Sequence, residues 1–134
     1  METRTASAGV LVVDDQAAFR ATAAALVAET HGLHVCRTAA SVIQARSALA
    51  TSGLDVVLLD IRIPGEDALG FAAWVRRVRP ELVVVLVSAY GVLDVPISLL
   101  AAGVGFVAKE DLAPASLLAA IAAARAGHPG DALR

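Results

Sequence analysis

Hydrophobic positions along the chain follow two alternating patterns: short unbroken aliphatic runs, and longer stretches with a three-to-four spacing. Val10-Leu11-Val12-Val13, Val56-Val57-Leu58-Leu59 and Leu82 to Val87 show no polar alternation, so each predicts a strand buried on both faces. Two shorter strands are predicted over Leu33 to Arg37 and Gly105-Phe106-Val107-Ala108. From Gln16 the spacing is helical, with Phe19, Ala23, Leu26 and Val27 on one face until His31-Gly32 stops it. Ser41 begins a second helix that Gly53 ends, and Ser41 and Gln44 have capping-box spacing. In such a box each side chain accepts from the other's orphan backbone N–H. Pro64-Gly65 signals a turn, and Asp67 can cap a third helix with Phe71, Trp74, Val75 and Val78 along one face, closed by Pro80. A fourth helix lies between Gly91 and Ala102. Pro96 is disfavoured in its interior, so the regular part is expected to begin near it. Pro114 suits the first turn of a last helix that runs to about Ala126, with Gly127 and Pro129 ending it.

Five strand–helix units with unalternating strands predict an α/β fold: a doubly wound, five-stranded parallel sheet with five helices, joined by right-handed crossovers. In such sheets ligands and chemistry sit outside the carboxyl ends of the strands.

Composition narrows the class. The 134 residues make one domain. Hydrophobic residues are 57% and charged residues 18%, which excludes disorder. The longest uncharged run, Val95 to Ala108, contains Pro96, Gly103 and Gly105, and no stretch reaches the roughly 18 apolar residues of a spanning helix. Asp14 and Asp15 come after a very short apolar run, unlike a signal peptide. The expectation is a soluble, cytoplasmic protein that does not engage a membrane. A net charge of -2 disfavours direct nucleic-acid binding by this chain. Cys36 is the single cysteine, so no internal disulfide forms, and it reads as a small buried residue. His31, His34 and His128 are scattered without ligand spacing. Arg76, Arg77 and Arg79 read as a solvated helix end, favourable near the negative pole of the helix.

The candidate chemistry lies at the carboxyl ends of the strands. Asp14 and Asp15 come directly after the first strand, Asp60 after the third, Ser88 after the fourth and Lys109 after the fifth. All five converge on one edge of the sheet. Three carboxylates at short range repel one another, so a cation is expected. Oxygen ligands without His or Cys favour Mg²⁺. Lys109 adds an ammonium and Ser88 a hydroxyl, and the set suits a phosphoryl group carried on a carboxylate.

These residues resemble the receiver domain of two-component response regulators, a flavodoxin-like fold. The resemblance is carried by Val10-Leu11-Val12-Val13-Asp14-Asp15, Val57-Leu58-Leu59-Asp60-Ile61-Arg62-Ile63-Pro64-Gly65, Val87-Ser88-Ala89 and Gly105-Phe106-Val107-Ala108-Lys109. It extends from about Val10 to Gly127. The first nine residues then form an N-terminal tail, residues 10–127 the receiver domain and residues 128–134 a C-terminal tail or cut linker.

The resemblance implies a role for each residue. Asp60 is the phosphoacceptor, attacking a phosphohistidine on a sensor histidine kinase. Asp14, Asp15, Asp60 and the backbone carbonyl of Arg62 hold Mg²⁺. Lys109 pairs with the phosphoryl oxygens, Ser88 is the switch hydroxyl and Phe106 the switch aromatic. The side chains of Arg62 and Tyr90 tune the loss of the acyl phosphate. A homodimer through the fourth helix, fifth strand and last helix is a further implication. Lys109 is followed by Glu110-Asp111 rather than proline, and with the ending Leu117 to Gly127 this looks most like the LuxR/NarL-type subfamily. That subfamily usually carries a helix-turn-helix DNA-binding domain and regulates transcription. A stand-alone receiver and a longer regulator cut after its first domain both remain open. Departures from the family pattern are Ala68, where many relatives carry glycine, and Pro96 in the fourth helix.

Two other functions compete with a phosphorylated switch. One is a docking module of the same fold that acts without phosphorylation. The other is a small phosphohydrolase with Asp60 as nucleophile, but Asp60-Ile61-Arg62 lacks the second acid two residues on that a haloacid-dehalogenase-like enzyme would use. The chain is therefore expected not to be an enzyme beyond promoting its own phosphorylation and dephosphorylation.

Overall fold

In the computed structural model, which describes residues 7–90 and 95–127, the predicted units appear in the predicted order. They are β1 (Ala8–Val13), α1 (Ala17–Glu29), β2 (Leu33–Ala39), α2 (Val42–Ala48), β3 (Leu54–Asp60), α3 (Ala68–Val78), β4 (Val83–Ser88), α4 (Ile97–Ala101), β5 (Gly105–Ala108) and α5 (Pro114–Ala126). All strand pairings are parallel, in the order β2-β1-β3-β4-β5. This is the flavodoxin-like doubly wound order, with its switch point between β1 and β3.

Each sheet face has its own core. Leu11, Val13, Val57, Leu59 and Leu86 pack against Ala45 of α2, Phe71 and Val75 of α3 and Leu99 of α4. Val10, Val12, Val56, Leu58 and Val85 pack against Ala23 and Val27 of α1 and Leu117, Ile121 and Ala124 of α5. The unalternating strands therefore feed two cores at once. Gly105 lets β5 and α5 close up, since a Cβ there would stand 2.5 Å from the Ala120 carbonyl oxygen. Among the described residues no helix is long and apolar enough to cross a membrane.

The ends of several elements depart from expectation for identifiable reasons. β1 begins at Ala8, so Ala8 and Gly9 belong to the sheet and not to a tail: Ala8 pairs with Leu33, and the Gly9 N–H donates to Asp55 Oδ2 at 2.9 Å. The register of β1 shifts at Gly9/Val10 against β3 and at Val10/Leu11 against β2. The second shift leaves Cys36 out of the pairing, and Cys36 is half-buried rather than buried. Ser41 caps α2 by accepting from the Gln44 N–H at 3.1 Å, but Gln44 Oε1 reaches back to the N–H of Ala40, not of Ser41. α2 stops at Ala48, well before Gly53. Asp67 caps α3 as expected, accepting from the Gly70 N–H at 2.8 Å. Phe71 and Val75 are buried, while Val78 turns outward. Pro96 is the N-cap of α4, whose regular part is Ile97–Ala101. Residues 91–94, the first part of the span in which the fourth helix is placed, and the 128–134 tail with His128 lie outside the described residues.

Of the arginines at the end of α3, Arg77 is exposed as expected, but Arg76 and Arg79 are not merely solvated. Arg76 donates to the carbonyls of Ala102, Pro80 and Leu82, and Arg79 to that of Leu49 and to Glu81. Side chains with several donors satisfy carbonyls of chain segments that the apolar pattern does not register.

Candidate functional site

Strand register brings the candidate residues to one level. Val13 pairs with Leu59, Asp60 with Val87, and Ser88 with Ala108. Asp14, Asp60, Ser88 and Lys109 thus cluster at the carboxyl edge of four adjacent strands. The cleft there has a volume of about 400 Å³ and is lined by Asp15, Phe19, Asp60, Arg62, Tyr90 and Lys109 among others.

Asp60 is the last residue of β3 and only 4% exposed. Its Oδ1 accepts from the Arg62 backbone N–H at 2.8 Å, and its Oδ2 from Lys109 Nζ at 3.1 Å. Asp14 is 1% exposed, and its Oδ1 accepts from the Gln16 N–H at 2.7 Å. Arg20 Nη1 donates to the Asp14 carbonyl at 2.7 Å, which ties the loop to the first turns of α1. Asp14 Oδ2 is buried and receives no hydrogen bond, although Lys109 Nζ stands 3.3 Å from it as an ion pair. Asp15 is exposed, yet one oxygen from each of Asp14, Asp15 and Asp60 falls within a 4.8 Å group.

Electrostatics follow from this crowding. Burial raises the Asp14 carboxyl above its ordinary value of 3.8, and the neighbouring Asp60 charge adds to the rise. The Gln16 N–H and Lys109 act against it. For Lys109, burial alone would lower the ammonium's pKa, but the Asp60 hydrogen bond and the two negative charges outweigh burial and raise it. Lys109 stays protonated and serves as a fixed cation between two carboxylates.

The remaining predicted residues surround this centre. Ser88 ends β4, fully buried, and its Oγ accepts from the Tyr90 N–H at 3.0 Å. Phe106 lies on β5 opposite Leu86, half-buried against the core on the α2–α4 face. The Arg62 guanidinium lies over the Tyr90 ring, 4.4 Å from its centroid. Lys109 faces Asp60 and Asp14, with ion-pair distances of 3.1 and 3.3 Å. Trp74 packs at the core margin as expected, and the Arg46 guanidinium lies over its ring at 4.4 Å.

One neighbour escaped the sequence reading. Phe19, an ordinary apolar helix position in the sequence pattern, lies under Lys109 Nζ with 4.1 Å from the nitrogen to its ring centroid. Its place four residues after Asp15, in the first turn of α1, was the available signal. The partner 90 residues further on was not legible from local pattern.

The residues present fit a hard divalent cation such as Mg²⁺. They are all-oxygen carboxylates, and a buried carboxylate oxygen among them lacks a donor. An anion entering the cleft would meet the Lys109 ammonium at the same point.

Comparison with known proteins agrees with this geometry. The family model for the response regulator receiver domain matches residues 10–122. A protein-glutamate methylesterase/protein-glutamine glutaminase of Pseudomonas syringae pv. tomato is 37% identical over 76 residues, which are 57% of this chain and 21% of that protein. The response regulator protein PilR of Pseudomonas aeruginosa is 36% identical over 67 residues, 50% of this chain and 15% of PilR. The chain thus matches about a fifth or less of these relatives' lengths. Among solved structures, the signal receiver domain of the response regulator NarL from Mycobacterium tuberculosis superposes with a TM-score of 0.75 at 28% identity. That superposition covers 90% of this chain and 98% of the NarL chain.

Proposed function

Because the chain belongs to the response regulator receiver domain family, we propose that Asp60 is its phosphoacceptor and that the domain is a switch set by phosphorylation. Receiver domains are phosphorylated by sensor histidine kinases, and such a kinase is the phosphodonor in this reading. The observation that carries it is the buried Asp60 carboxylate at the end of β3, held by the Arg62 N–H and by Lys109.

In the transfer, a carboxylate oxygen of Asp60 forms a bond to phosphorus as the P–N bond to the kinase imidazole breaks. The imidazole leaves with the bonding pair. Asp14, Asp15, Asp60 and the backbone carbonyl of Arg62 would hold Mg²⁺. When bound, the ion supplies positive charge against the phosphoryl oxygens. Lys109 moves its hydrogen bond from Asp60 to a phosphoryl oxygen, since forming the acyl phosphate removes the carboxylate charge that held it. The phosphoryl group adds about -1.5 to -2 charges and three acceptor oxygens. The Ser88 hydroxyl turns to donate to one of them, and Phe106 on the neighbouring strand changes rotamer with it. The event biases a two-state element that includes Ser88 at the end of β4 and Phe106 on β5.

The Arg62–Tyr90 stack stands at the mouth of the cleft. There it governs how readily water reaches the acyl phosphate. The receiver unit spans residues 8–127, acts in the cytoplasm, and pairs with a second copy through α4, β5 and α5 when phosphorylated. Transcription is the output if a DNA-binding domain follows in the full protein. The chemistry is self-directed, with no separate substrate turned over.

Intact mass after incubation with Mg²⁺ and acetyl phosphate tests the reading. Wild type should gain one phosphoryl group and Asp60→Asn none. Equal gain in both would move the acceptor elsewhere. No gain in wild type, either here or with a panel of autophosphorylated kinases, would leave the phosphorylation-independent docking module as the reading.

A further inference from the structure

Among the described residues Lys109 meets two carboxylates and one aromatic ring. Asp60 Oδ2 accepts a hydrogen bond at 3.1 Å, Asp14 Oδ2 forms an ion pair at 3.3 Å, and the Phe19 ring lies beneath the ammonium at 4.1 Å. A lysine carries a compact charged head on a flexible four-carbon stem, so it holds a position only where contacts on several sides restrain it. Two of those restraints are carboxylates that a metal ion and a phosphoryl group would engage. The ring is the one among the three that neither event consumes.

We propose that Phe19 is a positioning residue for Lys109, keeping the ammonium over the cleft while its hydrogen bond passes from Asp60 to the phosphoryl group. The inference rests on the reading of Asp60 as phosphoacceptor. A ring face suits this task because its attraction for a cation has no fixed donor direction. The ammonium can swivel between acceptors without leaving it. A third carboxylate in the same place would compete for the lysine, and an aliphatic side chain would offer it nothing.

The fold supplies the rigidity that positioning needs. Phe19 is the third residue of α1, half-buried against the core shared by α1 and α5. The Arg20 bond to the Asp14 carbonyl fastens that same turn to the loop bearing the acidic pair. One helix end therefore fixes both the ring below Lys109 and the carboxylates beside it.

The test compares Phe19→Leu, Phe19→Tyr and Phe19→Trp with wild type. Each is incubated with Mg²⁺ and acetyl phosphate, and the rate of phosphoryl gain is followed by intact mass. In that reaction the Asp60 O–P bond forms as the P–O bond to acetate breaks, and acetate leaves with the pair. Phe19→Leu keeps an apolar side chain but removes the ring, and should slow the gain by roughly two- to thirtyfold, the range of a cation–ring contact. Phe19→Tyr and Phe19→Trp should restore most of the rate. A rate in Phe19→Leu equal to wild type, or an equal loss in all three variants, would overturn the proposal. A second measurement needs no phosphodonor. The unfolding free energies of Phe19→Leu, Lys109→Met and the double variant should be non-additive, and additivity would also overturn it. A wild type that gains no phosphoryl group from acetyl phosphate or from any kinase of the panel would instead bring down the acceptor reading and this role with it.

Discussion

Lys109 Nζ donates to Asp60 Oδ2 at 3.1 Å, joining the ends of β5 and β3 across 49 residues of sequence. The bond neutralises a carboxylate that β3 leaves buried, and through the Asp14 contact it serves a second one. Stability and chemistry are coupled here, because the cation that permits the acidic cluster to fold is the one that would receive the phosphoryl oxygens.

Removing that cation should weaken the fold. Lys109→Met keeps the aliphatic stem but leaves Asp14 and Asp60 buried beside each other without it, a change of about 2 kcal/mol in the scale of lost charged hydrogen bonds. Urea denaturation of the metal-free protein at pH 7 should show it. Millimolar Mg²⁺ should recover part of the loss, since an ion that binds only the folded state stabilises it by mass action.

Asp14→Asn should act in the opposite direction. The folded-state pKa of Asp14 lies above its ordinary value of 3.8 because of burial and the Asp60 charge. Between the unfolded and folded values the native state binds more protons, so Asp14's contribution to stability falls as pH rises through that interval. At neutral pH the neutral amide should therefore stabilise the metal-free protein. Asn Oδ1 can still accept from the Gln16 N–H. The gain should vanish below pH 3.8, and the stabilisation of wild type by Mg²⁺ should be weakened in the variant. Thermal unfolding at several pH values, with and without the ion, checks both points.

Ser88→Ala should separate phosphorylation from its consequence. The variant keeps Asp60, the acidic pair and Lys109, so it should still gain a phosphoryl group by intact mass. Amide chemical-shift changes at Phe106 and Leu99 on phosphorylation should fall to well under half those of wild type. Full-sized shifts would remove Ser88 from the switch.

Gly105→Ala should destabilise by steric contact alone. Its Cβ would stand 2.5 Å from the Ala120 carbonyl oxygen, a backbone atom that moves only if α5 moves. A cost of about 1–3 kcal/mol is expected for overpacking of this kind. Chemical denaturation reads it, and Mg²⁺ should leave the difference unchanged because the clash is remote from the acidic cluster.

The sequence by itself determined the number, order and kind of the elements. Val10–Val13, Val56–Leu59 and Leu82–Val87 are apolar on both faces, and only a parallel sheet covered on both sides satisfies them. It also placed Asp14, Asp15, Asp60, Ser88 and Lys109 at strand ends, which the sheet rule turns into one edge. Local chemistry was legible to the residue at Asp67, Pro96 and Pro114, where a cap or a fixed φ acts within one turn. Tertiary structure alone decided the features that depend on distant neighbours. The order β2-β1-β3-β4-β5, the two register shifts of β1 and the turning out of Val78 are set by packing between elements. So are the carbonyls held by Arg76, the stacking of Arg62 on Tyr90 and the ring of Phe19 under Lys109. Periodicity reports which face of an element is apolar, whereas an ammonium over a ring needs a helix end and a strand end to meet in space. That meeting is a property of the folded sheet and not of any window of the chain.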